Sequence, residues 1–292
     1  MMRERLEELS APARLAVFAV MLVVVGGVAA LAGAATGTAP PSSGPQAAEM
    51  EMDEMTPLEQ AQANGLSSVA GGYMFLPVRT TLPLGRPTAF RFRIVDEQGV
   101  AIRDVDIDGG VRVHLIVVRR DFAGYQHLHP TLQSDGAWTV SLALAAPGAY
   151  RAFADFEVNG TKTVLGHDLV VPGSVTPARL PDPAQAATTD GFTVKLTHDP
   201  LRANEATKLH FDISRAGVPV QAFDPYVGYR GHMVALRDGD LSYSHVHPEP
   251  DANVGEIVFH SDLPSPGRYR LFLQFKVDGV VHTAPFTVEV DR

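Results

Sequence analysis

Two stretches of this chain repeat each other. Residues 99–130, GVAIRDVDIDGGVRVHLIVVRRDFAGYQHLHP, align without a gap with residues 217–248, GVPVQAFDPYVGYRGHMVALRDGDLSYSHVHP. The register carries Gly99 onto Gly217, Asp106 onto Asp224, His114 onto His232, Tyr125 onto Tyr243, His127 onto His245 and His129 onto His247. Downstream, after one inserted residue, GAYRAFADFEVNG (148–160) matches GRYRLFLQFKVDG (267–279). A similarity that holds register this far means a duplicated domain, so whatever the first half folds into, the second half folds into again.

Each unit reads as all-β. Ala89-Phe90-Arg91-Phe92-Arg93-Ile94 and Leu209-His210-Phe211-Asp212-Ile213 alternate with period two, the pattern of a half-buried strand. Asn159-Gly160 and Asp278-Gly279 sit between β-rich runs and signal tight hairpins. With turn clusters recurring about every ten residues, the expected fold is two tandem immunoglobulin-like β-sandwich domains. They are placed at residues 73–172 and 190–292, joined by a Pro-rich linker at 173–189.

The N-terminus sets the compartment. Residues 15–35, LAVFAVMLVVVGGVAALAGAA, carry no charge and are long enough to cross a bilayer as a helix. Arg3, Arg5 and Arg14 precede this run and the next cation is Arg79, which leaves residues 1–14 in the cytoplasm and the rest of the chain outside it. The expected localisation is the cell membrane, single-pass, with extracytoplasmic domains. The alternative is secretion after cleavage, for which Ala30, Ala32 and Ala34 offer small residues. Residues 36–72 read as a disordered linker, with a short helix from Pro57 to Ala63 behind the capping box Thr56-Pro57-Leu58-Glu59. Met50, Met52 and Met55 offer thioethers that suit Cu(I), although a solvated linker explains them as well. A net charge of -9 argues against nucleic acid as a partner, and the absence of cysteine removes disulfides and thiolate sites.

The chemistry lies in the histidines. His127-Leu128-His129 and His245-Val246-His247 are His-x-His pairs, and side chains at i and i+2 of a strand share a face. His114 and His232 each lie 13 residues before the first His of their pair. In repeat two, a hairpin turn at Gly239-Asp240 sets His232 opposite His247 and Leu236 opposite Tyr243. A turn at Asp238-Gly239 sets His232 opposite His245 instead. Either register gathers three imidazoles at the rim of the sandwich, a donor set that suits copper, with zinc as second choice. Met233 faces the other way, and His282 is a further candidate ligand in repeat two, where repeat one has Thr163. Asp106 and Asp224 read as turn residues or as acceptors for a ring N–H. His167, His198, His210 and His260 have no repeat counterpart and read as surface or local-structure residues.

The pattern H-[LM]-x-[VA]-[VL]-R followed by H-[LV]-H-P resembles bacterial extracytoplasmic immunoglobulin-like proteins of the YtkA-like and FixH-like kind. The resemblance covers residues 91–170 and 209–290. It implies an exported domain associated with copper handling or oxidase assembly, and no established catalytic activity. The expected partners are the membrane, through the N-terminal helix, and a metal transporter, an oxidase or another envelope protein.

Two readings follow. In the first, the chain is a membrane-anchored metal-binding protein, with copper held by a His cluster in each repeat for buffering, relay or delivery. In the second, it is a non-catalytic structural or interaction module, adhesin-like or an assembly partner, whose histidines close the end of a domain. A cupin-type enzyme would need an acid soon after each pair. Glu249 follows His247, but Thr131 stands at that place in repeat one, and no nucleophile elbow or phosphate loop is present. The chain is therefore expected not to be an enzyme.

Overall fold

Alternation explains most strands of the computed structural model, which describes residues 64–244, 246–249 and 253–292. In repeat one, β1 (Val69–Ala70), β2 (Tyr73–Pro77), β3 (Thr88–Asp96), β7 (Trp138–Leu142) and β6 (Thr131–Leu132) form one sheet in the order β1-β2-β3-β7-β6. The second sheet runs β5-β4-β8-β9, from Gln126–Leu128, Val113–Arg119, Gly148–Val158 and Thr161–Val171. The rings of Phe75, Phe90, Phe92 and Trp138 from the first sheet meet Leu115, Val117, Ala152, Phe156 and Leu165 from the second, giving a sandwich core.

Repeat two rebuilds this plan. Strands β10 (Ala186–Thr189), β11 (Phe192–Thr197), β12 (Ala206–Arg215), β17 (Glu256–Asp262) and β16 (Val246–Pro248) pair in that order, with β13 (Val218–Pro219) beside β12. Opposite them lies β15-β14-β18-β19, from Tyr243–Ser244, Gly231–Arg237, Gly267–Val277 and Val280–Val290. The chain is thus all-β in two tandem domains, and an immunoglobulin-like sandwich fits both. The hairpins at Asn159-Gly160 and Asp278-Gly279 are two-residue turns with positive φ at both positions (51° and 77°, 53° and 76°), the backbone that these residues tolerate best.

The second sheets are covered along their central strands. Strand β4 is buried at every position, so both its faces are covered. Leu115 and Val117 point into their own sandwich, while Ile116 and Val118 point outward and join Phe122, Phe153, Val164, Val234, Leu236, Leu241, Tyr243 and Phe272 in a third core. That core is a seam between the two repeats, which both lie in the single compact unit Glu54–Arg292.

The seam has a quasi-two-fold character. Tyr125 stacks on Phe272 with ring centroids 4.0 Å apart, and the exchanged pair Tyr243 and Phe153 meets at 5.6 Å. His114 and its counterpart His232 lie parallel to each other, at 5.2 Å and 7°. Where the loops cross, a Cβ on Gly109 would collide with the Val227 carbonyl, so this approach requires glycine.

Two flanking segments run along the seam. Asn64 O accepts from Tyr243 N–H (2.9 Å), while Gly65 O accepts from the Arg151 guanidinium (2.6 Å). In the connection between repeats, Ala178 N–H donates to Asp121 (2.7 Å) and Arg268 donates to Pro181 O.

The expected membrane span (15–35) and short helix (57–63), and most of the linker (36–72), lie outside the described residues. Among the described residues, no helix is long and apolar enough to cross a membrane.

Candidate metal centre

The outward face of β4 carries His114, and β5 brings its partners. The ladder pairs Leu115 with Leu128, Ile116 with His127 and Val117 with Gln126. Paired residues share a face, so His127 and His129 lie on the side of His114 and Ile116. The ligand nitrogens of His114, His127 and His129 all lie within 4.8 Å of one another. His114 Nδ1 is 2.8 Å from His127 Nε2, and His129 Nε2 is buried without a hydrogen bond.

Repeat two closes the site. Its His232 ring lies 4.4 Å from that of His127 and is stacked on His114. Gln274 Oε1 is 2.7 Å from His127 Nδ1, and the Tyr226 hydroxyl is 3.2 Å from the same atom. The cluster therefore sits on the outer face of a sheet under the neighbouring repeat. The expectation of a rim position is corrected, because the face shared with Val234 and Leu236 is buried by the other domain.

Burial governs the protonation of this site. His127 is held well below 6.5, first by loss of water and then by the neighbouring imidazoles of His232, His114 and His129, against the Gln274 oxygen. His129 is lowered to about 4, again mainly by burial. His114 is lowered for the same reason, although Asp155 and Asp108 pull it upward. At neutral pH the three rings are neutral, the state in which imidazole is a metal ligand. His114 and His232 also line a cleft with Asp108, Asp155, Glu157 and Lys162 on its walls.

The other candidates fall elsewhere. In repeat two the ladder runs Ala235↔Ser244 and Leu236↔Tyr243, the register set by the Gly239-Asp240 turn. It does not continue to His232 and His247, because Val246–Pro248 leaves β14 and pairs with β17. His247 therefore lies exposed opposite His260 and not opposite His232, although it still borders the cleft. His245 lies outside the described residues.

His282 does not join the histidine cluster. Its pairing with Phe275 turns it into the core of repeat two, where Nδ1 is 2.8 Å from Asp190 and the ring packs 4.6 Å from Phe192. Met233 also faces that core. Asp106 and Asp224 lie outside the turns and instead cap the hairpins from a distance, accepting from Gly160 N–H (2.8 Å) and Gly279 N–H (2.7 Å). His210 and His260 pair with Glu256 and Glu249 on the far sheet. Among the described residues, which leave out His245, the one group of three potential ligands is that of repeat one.

Sequence reasoning missed Gln274 and Tyr226. The available signal was the outward triplet Arg151-x-Phe153-x-Asp155, repeated as Arg270-x-Phe272-x-Gln274. A phenylalanine kept twice on a supposedly wet face marks that face as covered.

A pair of β-sandwiches sharing one polar site at their seam is the class that fold and geometry define. Residues 68–173 and 187–292 each match the family described as a domain of unknown function, DUF8832, and the chain belongs to that family with two tandem copies. No curated protein matches it. Among solved structures, it is similar to the Escherichia coli adhesin FdeC at 15% identity, over 76% of this chain and 64% of that one, with a TM-score of 0.25. It is also similar to a Salmonella alpha-2-macroglobulin at 12% identity, over 78% of this chain and 15% of that one, with a TM-score of 0.28. The chain thus spans less than two thirds of either protein, and superpositions this loose carry no inference.

Proposed function

We propose that this chain is an extracytoplasmic, membrane-tethered metal-binding protein that holds one ion between its repeats and buffers, relays or delivers it. Copper is the first choice and zinc the second. The observation that carries this reading is the convergence of His114, His127 and His129 within 4.8 Å, with His129 Nε2 buried and unbonded. Nitrogens bound tetrahedrally at about 2.0–2.1 Å stand roughly 3.3 Å apart, so the 2.8 Å contact between His114 and His127 needs to open by about half an ångström. An ion in place of that hydrogen bond would also satisfy His129.

Copper is preferred because the H-x-H-P hairpin resembles YtkA-like and FixH-like domains. The apolar run at 15–35 would supply the tether. A transporter, an oxidase or another envelope protein would supply or receive the ion, and no enzymatic step is proposed.

A second reading has an observation of its own. His114 stacks on His232 at 7°, and the 2.8 Å histidine pair is satisfied without an ion, as in a seam of purely structural imidazoles. The test is titration of the full chain in detergent with Cu(I), Cu(II) and Zn(II), beside a variant carrying His127→Ala and His129→Ala. The metal reading expects one tight equivalent per chain, absent from the folded variant. No binding above background, with a variant that melts earlier, would leave the structural module standing.

A further inference from the structure

Three candidate ligands come from repeat one, yet the group on the far side of His127 comes from repeat two. Gln274 is buried on the outward face of β18, across the ladder from His232. Its Oε1 lies 2.7 Å from His127 Nδ1, while its Nε2 donates to Thr283 Oγ1 at 3.2 Å. An amide oxygen can only accept, so the shorter contact puts a proton on Nδ1. In a neutral ring the lone pair is then on Nε2, the nitrogen that faces His114. The Tyr226 hydroxyl, 3.2 Å from the same Nδ1, shares that proton as a second acceptor.

We propose that Gln274 is a positioning residue that fixes His127 as the Nδ1–H tautomer, so that a repeat-two side chain presents Nε2 to the ion. This rests on the metal-binding reading. Partners of this kind orient a ligand ring and raise its basicity, and losing one weakens metal binding by roughly 10–100-fold. The duplicated position supports a role acquired in one copy. Asp155 stands where repeat two has Gln274, directly across from His114, and it accepts from the Tyr243 hydroxyl at 2.9 Å.

The experiment uses the full chain with ¹⁵N-labelled histidine, first metal-free and then titrated with Cu(I) and Zn(II). Long-range ¹H–¹⁵N spectra are expected to find His127 as Nδ1–H in the unaltered protein and in Gln274→Glu, which keeps an acceptor at the same reach. Gln274→Leu is expected to lose that tautomer preference and to bind metal roughly 10–100-fold more weakly, with Gln274→Glu restoring affinity. His127 in the Nε2–H form overturns the proposal whatever the metal does, and so does unchanged affinity in Gln274→Leu. If the unaltered protein holds the Nδ1–H tautomer but binds neither ion, the metal reading itself falls, and the positioning role falls with it. Should Gln274→Leu not fold, Gln274→Asn withdraws the acceptor by one methylene. The same tautomer shift and weakening are expected from it, and their absence overturns the proposal.

Discussion

Repeat one and repeat two start from the same motif and put it to different use. In repeat one, β5 stays paired to β4 as far as Leu128, and His127 and His129 fold back onto His114. In repeat two, the pairing with β14 ends at Ser244, and Val246–Pro248 crosses to β17 of the other sheet, taking His247 to an exposed place beside His260. Val246 aligns with Leu128, whereas the crossing strand of repeat one begins at Thr131, so repeat two changes sheet three residues earlier. Parity along a strand decides which face a histidine takes, but the point of crossing decides which sheet it takes. A chelate needs both. His232 keeps its place in the seam, and repeat two supplies Gln274 and Tyr226 to a site whose close cluster belongs to repeat one.

The seam itself is where the repeats should behave alike, and here the largest effect is expected. Phe153 and Phe272 are equivalent, both buried, and each packs against a tyrosine of the other repeat. Phe153→Ala and Phe272→Ala should each lower unfolding free energy by about 3–5 kcal/mol in urea denaturation, and by similar amounts. A large effect from one and almost none from the other would mean that the seam is not shared.

At the histidines, the repeats should part company. His129→Ala should cut metal affinity by about 100-fold or more, roughly 2.7 kcal/mol, while His247→Ala and His282→Ala leave it nearly unchanged in the same titration. Equal losses from His129→Ala and His247→Ala would break the asymmetry. Acid sharpens the contrast. With the His129 pKa near 4, protons should begin to compete with the ion well below the 6.5 of a free imidazole. The metal-free fold follows the same sign. Between pH 6.5 and about 4 the unfolded chain binds more protons at these histidines than the folded one. Stability is therefore full above 6.5 and falls as the pH drops through that window, as melting temperature against pH would record.

The duplication, the all-β strands and the two-residue hairpins were legible because each rests on local chemistry: alternation, Asn-Gly or Asp-Gly turns, and register between copies. The common face of His114, His127 and His129 was legible for the same reason. The covering of that face was not, since alternation cannot say whether an outward position meets water or another domain. The run His114-Leu115-Ile116-Val117-Val118 carried a trace of the answer, being apolar on both parities. His282 misses the shared face by a single residue of parity: Thr283, next to it, shares the His232 face, while His282 turns inward to Asp190 and Phe192.

The smallest effect tests how far the quasi-two-fold extends to polar atoms. Tyr243 donates its hydroxyl to Asp155 at 2.9 Å, whereas the hydroxyl of its counterpart Tyr125 is buried without any hydrogen bond. Removing a donor to a carboxylate costs about 1.5 kcal/mol or somewhat more, while removing an unbonded buried hydroxyl relieves a desolvation penalty. Tyr243→Phe should therefore destabilise by about that amount, and Tyr125→Phe should be neutral or stabilising by up to about 1 kcal/mol. Both rings keep their aromatic contacts, so the difference isolates the two oxygens. If Tyr125→Phe destabilises as much as Tyr243→Phe, its hydroxyl has a partner in solution, and the polar half of the seam is as symmetric as the apolar half. If the signs differ, the duplicated face kept its packing and diverged in what its polar groups bind, as the different partners of Asp155 and Gln274 already show.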